Sequence, residues 1–108
     1  MDEQEQVVIN LIVNSGSARS SAIEAIQYAK AGDLDKAAES LQQAKETVNE
    51  AHHAQTELIQ AEIRGEKAPL NLLMVHAQDH LMTALVVIDL AQEFVDLYKK
   101  VGLSLIHI

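Results

Sequence analysis

His76, Gln78, Asp79 and His80 stand inside the most apolar stretch of the chain, between Leu70–Val75 and Leu81–Ile88. A helix that is greasy on most sides is normally buried against other helices. Imidazoles and a carboxylate placed there cost folding free energy unless each is hydrogen-bonded, paired, metal-bound or reached by solvent. Residues advance about 100° each around a helix, so His76 projects between Asp79 and His80, which lie about 100° apart. Three chemistries suit this arrangement. His76 can be a core histidine held by a backbone or carboxylate partner. His76 and His80, one helical turn apart, can chelate a metal with Asp79, although a complete site needs three or four ligands. A neutral imidazole, with an ordinary pKa of about 6.5, can also accept a phosphoryl group.

Asp79 has a second possible use. If this helix lines a symmetry axis, copies of Asp79 meet there. Like carboxylates in one buried site repel, so protons or a cation must intervene. Oxygen-only ligands suit Mg2+ or a similar hard ion. His52 and His53 are consecutive, so they cannot share one helix face, and one is expected inward with the other in solvent. His107 lies near the C-terminus and is given no role. Asp89, Glu93 and Asp96 follow helical spacing and make a solvated face.

The elements that position these groups are helical. Hydrophobic residues make up 48% of the 108-residue chain but aromatics only 3%. That is enough apolar surface for one folded domain, with a core of aliphatic side chains and alanine. Alanine favours close helix packing over a sheet. Gly32 suits the left-handed residue past a helix end, with Asp33 as the next N-cap. Gly65 closes a second helix, and Pro69 fits the first turn of a third. The spacing predicts helices over about 4–31, 34–64 and 70–100.

Val8, Leu11, Ile12, Ser15, Ala18, Ala22, Ile26 and Ala29 share one face of the first helix. Leu34, Ala37, Ala38, Leu41, Ala44, Val48, Ala51, Gln55, Leu58 and Ile59 share one side of the second. Lys99 and Lys100 are placed as C-terminal charges of the third. Each helix is then roughly 40 Å long. The short links make an all-α, antiparallel up-down-up three-helix bundle over 1–101. The remainder, 102–108, is expected to be a disordered tail. The third helix is apolar on more faces than two neighbours can cover, which implies self-association with this helix innermost.

The charge of −8 argues against nucleic acid or an anionic membrane surface as partner. The absence of cysteine excludes disulfides and thiol chemistry on this chain. The acidic N-terminus is not a secretory signal, and no apolar run reaches the roughly 18 residues needed to span a bilayer. A cytoplasmic location without membrane insertion is expected.

The octapeptide His76-Ala77-Gln78-Asp79-His80-Leu81-Met82-Thr83 resembles the active-site signature of the IIA components of the lactose/cellobiose class of the sugar phosphotransferase system. Asn14–Ser20, Ala29–Asp33 and Glu50–Thr56 resemble further segments of that family, so the likeness covers roughly residues 6–100. Ala77 resembles the cellobiose and chitobiose branch more than the lactose branch, which stays as the alternative.

The resemblance implies a homotrimer of three-helix subunits, a nine-helix bundle. It implies that His76 accepts a phosphoryl group from the phosphocarrier protein HPr and passes it to a cysteine of the cognate IIB component. It implies that Asp79 of each subunit binds a divalent cation, Mg2+ by its oxygen preference, on the trimer axis. Gln78, His80 and His52 are the candidates for contacting the phosphoryl group or orienting His76. A metal-binding helical bundle using His76, Asp79 and His80 is the competing reading. The only arginines are Arg19 and Arg64, and neither is assigned to the phosphate.

Overall fold

The computed structural model describes residues 3–66 and 70–106, with side chains described through 103. Three helices follow in order: α1 (Glu3–Lys30), α2 (Leu34–Ile63) and α3 (Leu72–Ile106). Among the described residues there is no strand, and no helix is long and apolar enough to cross a membrane.

The breaks are made by local backbone chemistry. Gly32 has φ of 89° and Gly65 of 90°, in the left-handed region that costs a side-chain-bearing residue roughly 1–2 kcal/mol. Around Gly32, its N–H donates to the Ala29 carbonyl at 3.0 Å and the Asp33 N–H donates to the Tyr28 carbonyl at 2.9 Å. Gly65 and Glu66 repeat the pattern on Glu62 and Ala61, at 3.0 and 2.9 Å. Both are Schellman closures, which satisfy carbonyls that a helix end leaves bare. The Asp33 side chain then accepts from the Lys36 N–H at 3.1 Å and starts α2.

The start of α3 differs from the expectation. The helix begins at Leu72, and the Asn71 carboxamide oxygen accepts from the Met74 N–H at 2.8 Å. Asn71 therefore caps the helix. Pro69, expected in that first turn, lies outside the described residues. The end of α3 is also corrected. Lys99 and Lys100 sit in the body of the helix, which continues to Ile106. Gly102 does not take a positive φ, and nothing between 101 and 106 removes a backbone donor, so 102–106 stay helical rather than forming a disordered tail. Residues 107 and 108 lie outside the described residues.

The core is a set of alanines at heptad-like spacing. Ala18, Ala22, Ala25 and Ala29 face Ala37, Ala44 and Ala51 of α2 and Ala77, Ala84 and Ala91 of α3, all essentially buried. Leu11, Leu41, Leu81, Val48 and Ile88 fill the spaces between. Small side chains let α1 approach both other helices closely, whereas α2 and α3 touch each other far less. Gln55 meets Gln78, and Lys45 meets Gln92, so α2 and α3 run antiparallel. A groove therefore separates them, and toward the start of α3 it holds a cavity of about 290 Å³ between Leu58, Ile59, Met74 and Val75.

The apolar face of α3 opposite this core is left bare. Leu72, Val75, Met82, Val86, Leu90, Phe94, Leu97 and Val101 are exposed. Asp79 lies within this stripe, four residues after Val75 and three before Met82.

Candidate functional site

The rotation of α3 about its axis decides which polar groups can react. Ala77, Leu81 and Ala84 are fully buried, so they fix the inward line of the helix. His76, Asp79 and Thr83 then fall on the outer surface, and His80 is half-buried. The apolar sequence around His76 suggested a core histidine as one option; its exposure rules that option out.

His76 and His80 are one turn apart and meet directly. Their Nε2 atoms are 3.0 Å apart. Their rings pack edge-on, with centroids 4.4 Å apart and planes at 87°. One Nε2 must carry the proton and the other accept it. If His80 donates, the His76 Nδ1 carries the other proton, and the His76 Nε2 lone pair faces His80. If His76 donates, its free lone pair is on Nδ1. Only in the second tautomer does His76 keep a lone pair that no hydrogen bond occupies; in both, His80 fixes the orientation of the His76 ring.

The two histidines line a shallow pocket of about 110 Å³ with Asp79, Thr83 and Arg19. Arg19 arrives from α1. Its neighbours Ala18 and Ala22 are fully buried, and one residue's rotation from Ala18 carries the long side chain to the surface beside α3. Sequence reasoning left Arg19 and Thr83 unassigned. The available signals were the arginine inside the small-residue segment Asn14–Ser20 and the threonine closing the octapeptide.

Gln78 is not brought into this pocket. It is half-buried on the α2 side of α3, where its carbonyl accepts from Gln55 Nε2 at 2.7 Å and its own amide points to Met74 Sδ at 3.5 Å. It also lines the apolar cavity between α2 and α3. His52 is exposed on α2, where its backbone carbonyl accepts from the Thr56 hydroxyl at 3.0 Å. It does not line the pocket around His76. His53 is also exposed, with Nε2 3.3 Å from Glu57. The expectation that one of these histidines faces inward is thus corrected. Ala51 occupies the inward position, and Ala54, Gln55 and Leu58 continue that line, so both following side chains are rotated outward.

Among the described residues, no group of three or more His, Asp or Glu side chains is arranged to hold a metal ion. One chain by itself therefore does not assemble the three-ligand bundle site of His76, Asp79 and His80. Asp79 offers one exposed, hard oxygen donor set in an apolar stripe, which fits a cation only if other carboxylates or waters complete the shell.

The chain is similar to known proteins along almost its whole length. Residues 6–99 match the family described as "PTS system, Lactose/Cellobiose specific IIA subunit". The lichenan-specific phosphotransferase enzyme IIA component of Bacillus subtilis (strain 168) is 53% identical over 100 residues, covering 93% of this chain and 91% of that protein. The crystal structure of the PTS cellobiose-specific enzyme IIA from Bacillus anthracis superposes with a TM-score of 0.90 at 57% identity, covering 94% of each chain. A IIA chain from the solution structures of the IIA(chitobiose)–HPr complex of the Escherichia coli phosphotransferase system superposes with a TM-score of 0.81 at 41% identity, covering 94% of this chain and 99% of that one. A three-helix chain that carries this octapeptide, and matches along almost its whole length, belongs to the lactose/cellobiose-specific IIA subunits of the phosphotransferase system.

Proposed function

We propose that this chain is the phosphoryl-relay subunit of a sugar phosphotransferase system, in which His76 accepts the phosphoryl group from phospho-HPr and passes it to a cysteine of the cognate IIB component. The observation that carries the reading is the exposed His76 ring held by His80 in an open pocket. A relay histidine must be reached by two partner proteins in turn, and a core histidine cannot be. The structural likeness to a IIA chain solved with HPr supports the choice of donor.

The transfer is balanced between two rings. The lone pair of a His76 nitrogen attacks phosphorus, and a new N–P bond forms. The N–P bond of the donor phosphohistidine breaks, and its electron pair returns to the donor ring. Each ring keeps the proton on its other nitrogen. In the second half, the thiolate of the acceptor protein attacks phosphorus, an S–P bond forms, and the pair of the broken N–P bond returns to His76. This chain has no cysteine, so the thiolate belongs to the partner. Phosphoryl transfer is catalysed mainly by positioning and charge stabilisation, and His80 supplies positioning here. Ala77 resembles the cellobiose and chitobiose branch, and the 53% identity to a lichenan-specific IIA component supports a β-linked disaccharide of that class as the sugar taken up.

The bare apolar stripe of α3 supports self-association, since monomers rarely leave so long a contiguous apolar face in water. Three copies packed through this stripe form the nine-helix trimer of the reading. The three copies of Asp79 then approach one another, and they are the residues that would hold a divalent cation. Such a cation would screen their mutual repulsion.

The test is intact-mass spectrometry at neutral pH after incubation with phosphoenolpyruvate, enzyme I and HPr. One acid-labile phosphoryl adduct per chain, absent in His76→Gln, is expected. Labelling that survives His76→Gln would refute the assignment.

A further inference from the structure

We infer that Arg19 is the guanidinium that binds the phosphoryl group when it sits on His76; this rests on the relay reading above. Three observations carry it. First, Arg19 and His76 line the same pocket, although they come from different helices. Second, Arg19 is the only permanent cation among the side chains lining that pocket; the others are two imidazoles, a carboxylate and a hydroxyl. Third, its donors are unspent. Arg64 is engaged by Glu66 at 3.0 Å, and Lys36 and Lys45 bond to Asp33 and Gln92. Among the described residues Arg19 has no hydrogen bond or ion pair, even with Asp79 across the same pocket.

The charge balance requires such a group. A phosphoryl dianion entering this pocket meets the Asp79 carboxylate on a chain whose net charge is already −8. Like charges in one pocket oppose both arrival and retention of the group. A guanidinium opposes this directly, and its planar fork matches two phosphoryl oxygens at once. Arg19 is held near the pocket by its helix but is not consumed by a structural pair. It can therefore turn to the phosphoryl group at no loss of an existing bond. Thr83 offers a hydroxyl on the same wall.

The experiment measures the equilibrium distribution of phosphoryl groups between HPr and this full-length chain, by intact mass at fixed HPr, for wild type, Arg19→Gln, Arg19→Lys and His76→Gln. Charge-assisted hydrogen bonds of this kind predict that Arg19→Gln shifts the equilibrium toward phospho-HPr by about tenfold or more. Arg19→Lys keeps the charge without the fork and should recover part of the shift. The second measurement follows the Arg19 side-chain Nε–H resonance of the wild type by NMR before and after phosphorylation, which needs no variant to fold; a clear displacement is expected. An unchanged equilibrium in Arg19→Gln, with His76→Gln unlabelled, would overturn the role of Arg19 and leave the relay intact. An unmoved resonance would do the same. Labelling of His76→Gln would instead overturn the relay itself, and Arg19's role with it.

Discussion

His76 and His80 hold their Nε2 atoms 3.0 Å apart, with their rings nearly perpendicular. This contact is made within a single helix, so it exists whenever α3 is folded. It orients the His76 ring without a residue from any other helix. His80→Ala should slow phosphoryl transfer from phospho-HPr by about 10–100-fold through loss of orientation. Stability should change by only about 0.5 kcal/mol, since His76 is exposed and His80 only half-buried. Rapid-quench mass spectrometry gives the rate. A wild-type rate in the folded variant would mean that the ring of His80 only packs.

Gln78 belongs to the octapeptide but points to α2, where it accepts from Gln55 at 2.7 Å. Gln78→Ala should cost about 1 kcal/mol by removing that bond at a partly buried seam. Transfer to His76 should stay near the wild-type rate. Chemical denaturation and the same mass assay report the two quantities separately. If transfer collapses while the fold persists, Gln78 must leave Gln55 and swing to the phosphoryl group during the reaction.

Ser15 is fully buried in the tight middle of α1, and among the described residues its Oγ has no hydrogen-bond partner. A buried hydroxyl without a partner carries an uncompensated desolvation cost. Ser15→Ala should therefore stabilise the fold by about 1–2 kcal/mol, combining that relief with the better helix propensity of alanine. The melting temperature should rise by several degrees at fixed protein concentration. A lower melting temperature would show that the hydroxyl is satisfied in solution.

The bare stripe of α3 and the carboxylate inside it predict opposite effects of two substitutions. Val86 is 57% exposed on the stripe. Val86→Asp should reduce self-association sharply, because it places a charge in an apolar contact. Asp79→Leu should leave association intact or strengthen it, because it removes like-charge repulsion. It should also abolish binding of any divalent cation. Sedimentation velocity and metal analysis of the purified variants decide both. Full metal stoichiometry in Asp79→Leu would place the cation elsewhere.

The three helices were legible because their signals are local. Gly32, Gly65 and Asp33 act through their own backbone or side chain within a few residues. The inward faces of α1 and α2 largely follow the apolar period, so Leu11, Ala18, Leu41 and Val48 fell where expected, whereas Ala38 and Ile59, counted on the same side of α2, are exposed. The ends of α3 were less legible. The start was read from Pro69, whereas the Asn71 side chain caps it, and a glycine with negative φ at 102 does not stop a helix as Gly32 and Gly65 do.

The sequence by itself determined the three helices, the inward line of α1, and the family to which the chain belongs. Tertiary structure alone decided who meets whom across helices. It brought Arg19 beside His76, turned Gln78 toward Gln55, kept His52 outside the pocket, and sealed Ser15 without a partner. The reason is that periodicity fixes which face of a helix is inward, whereas a lateral neighbour depends on the axial register and rotation of two helices together. Those are set by how the alanine ridges of α1 interlock with both partners, and no single stretch of sequence contains that information.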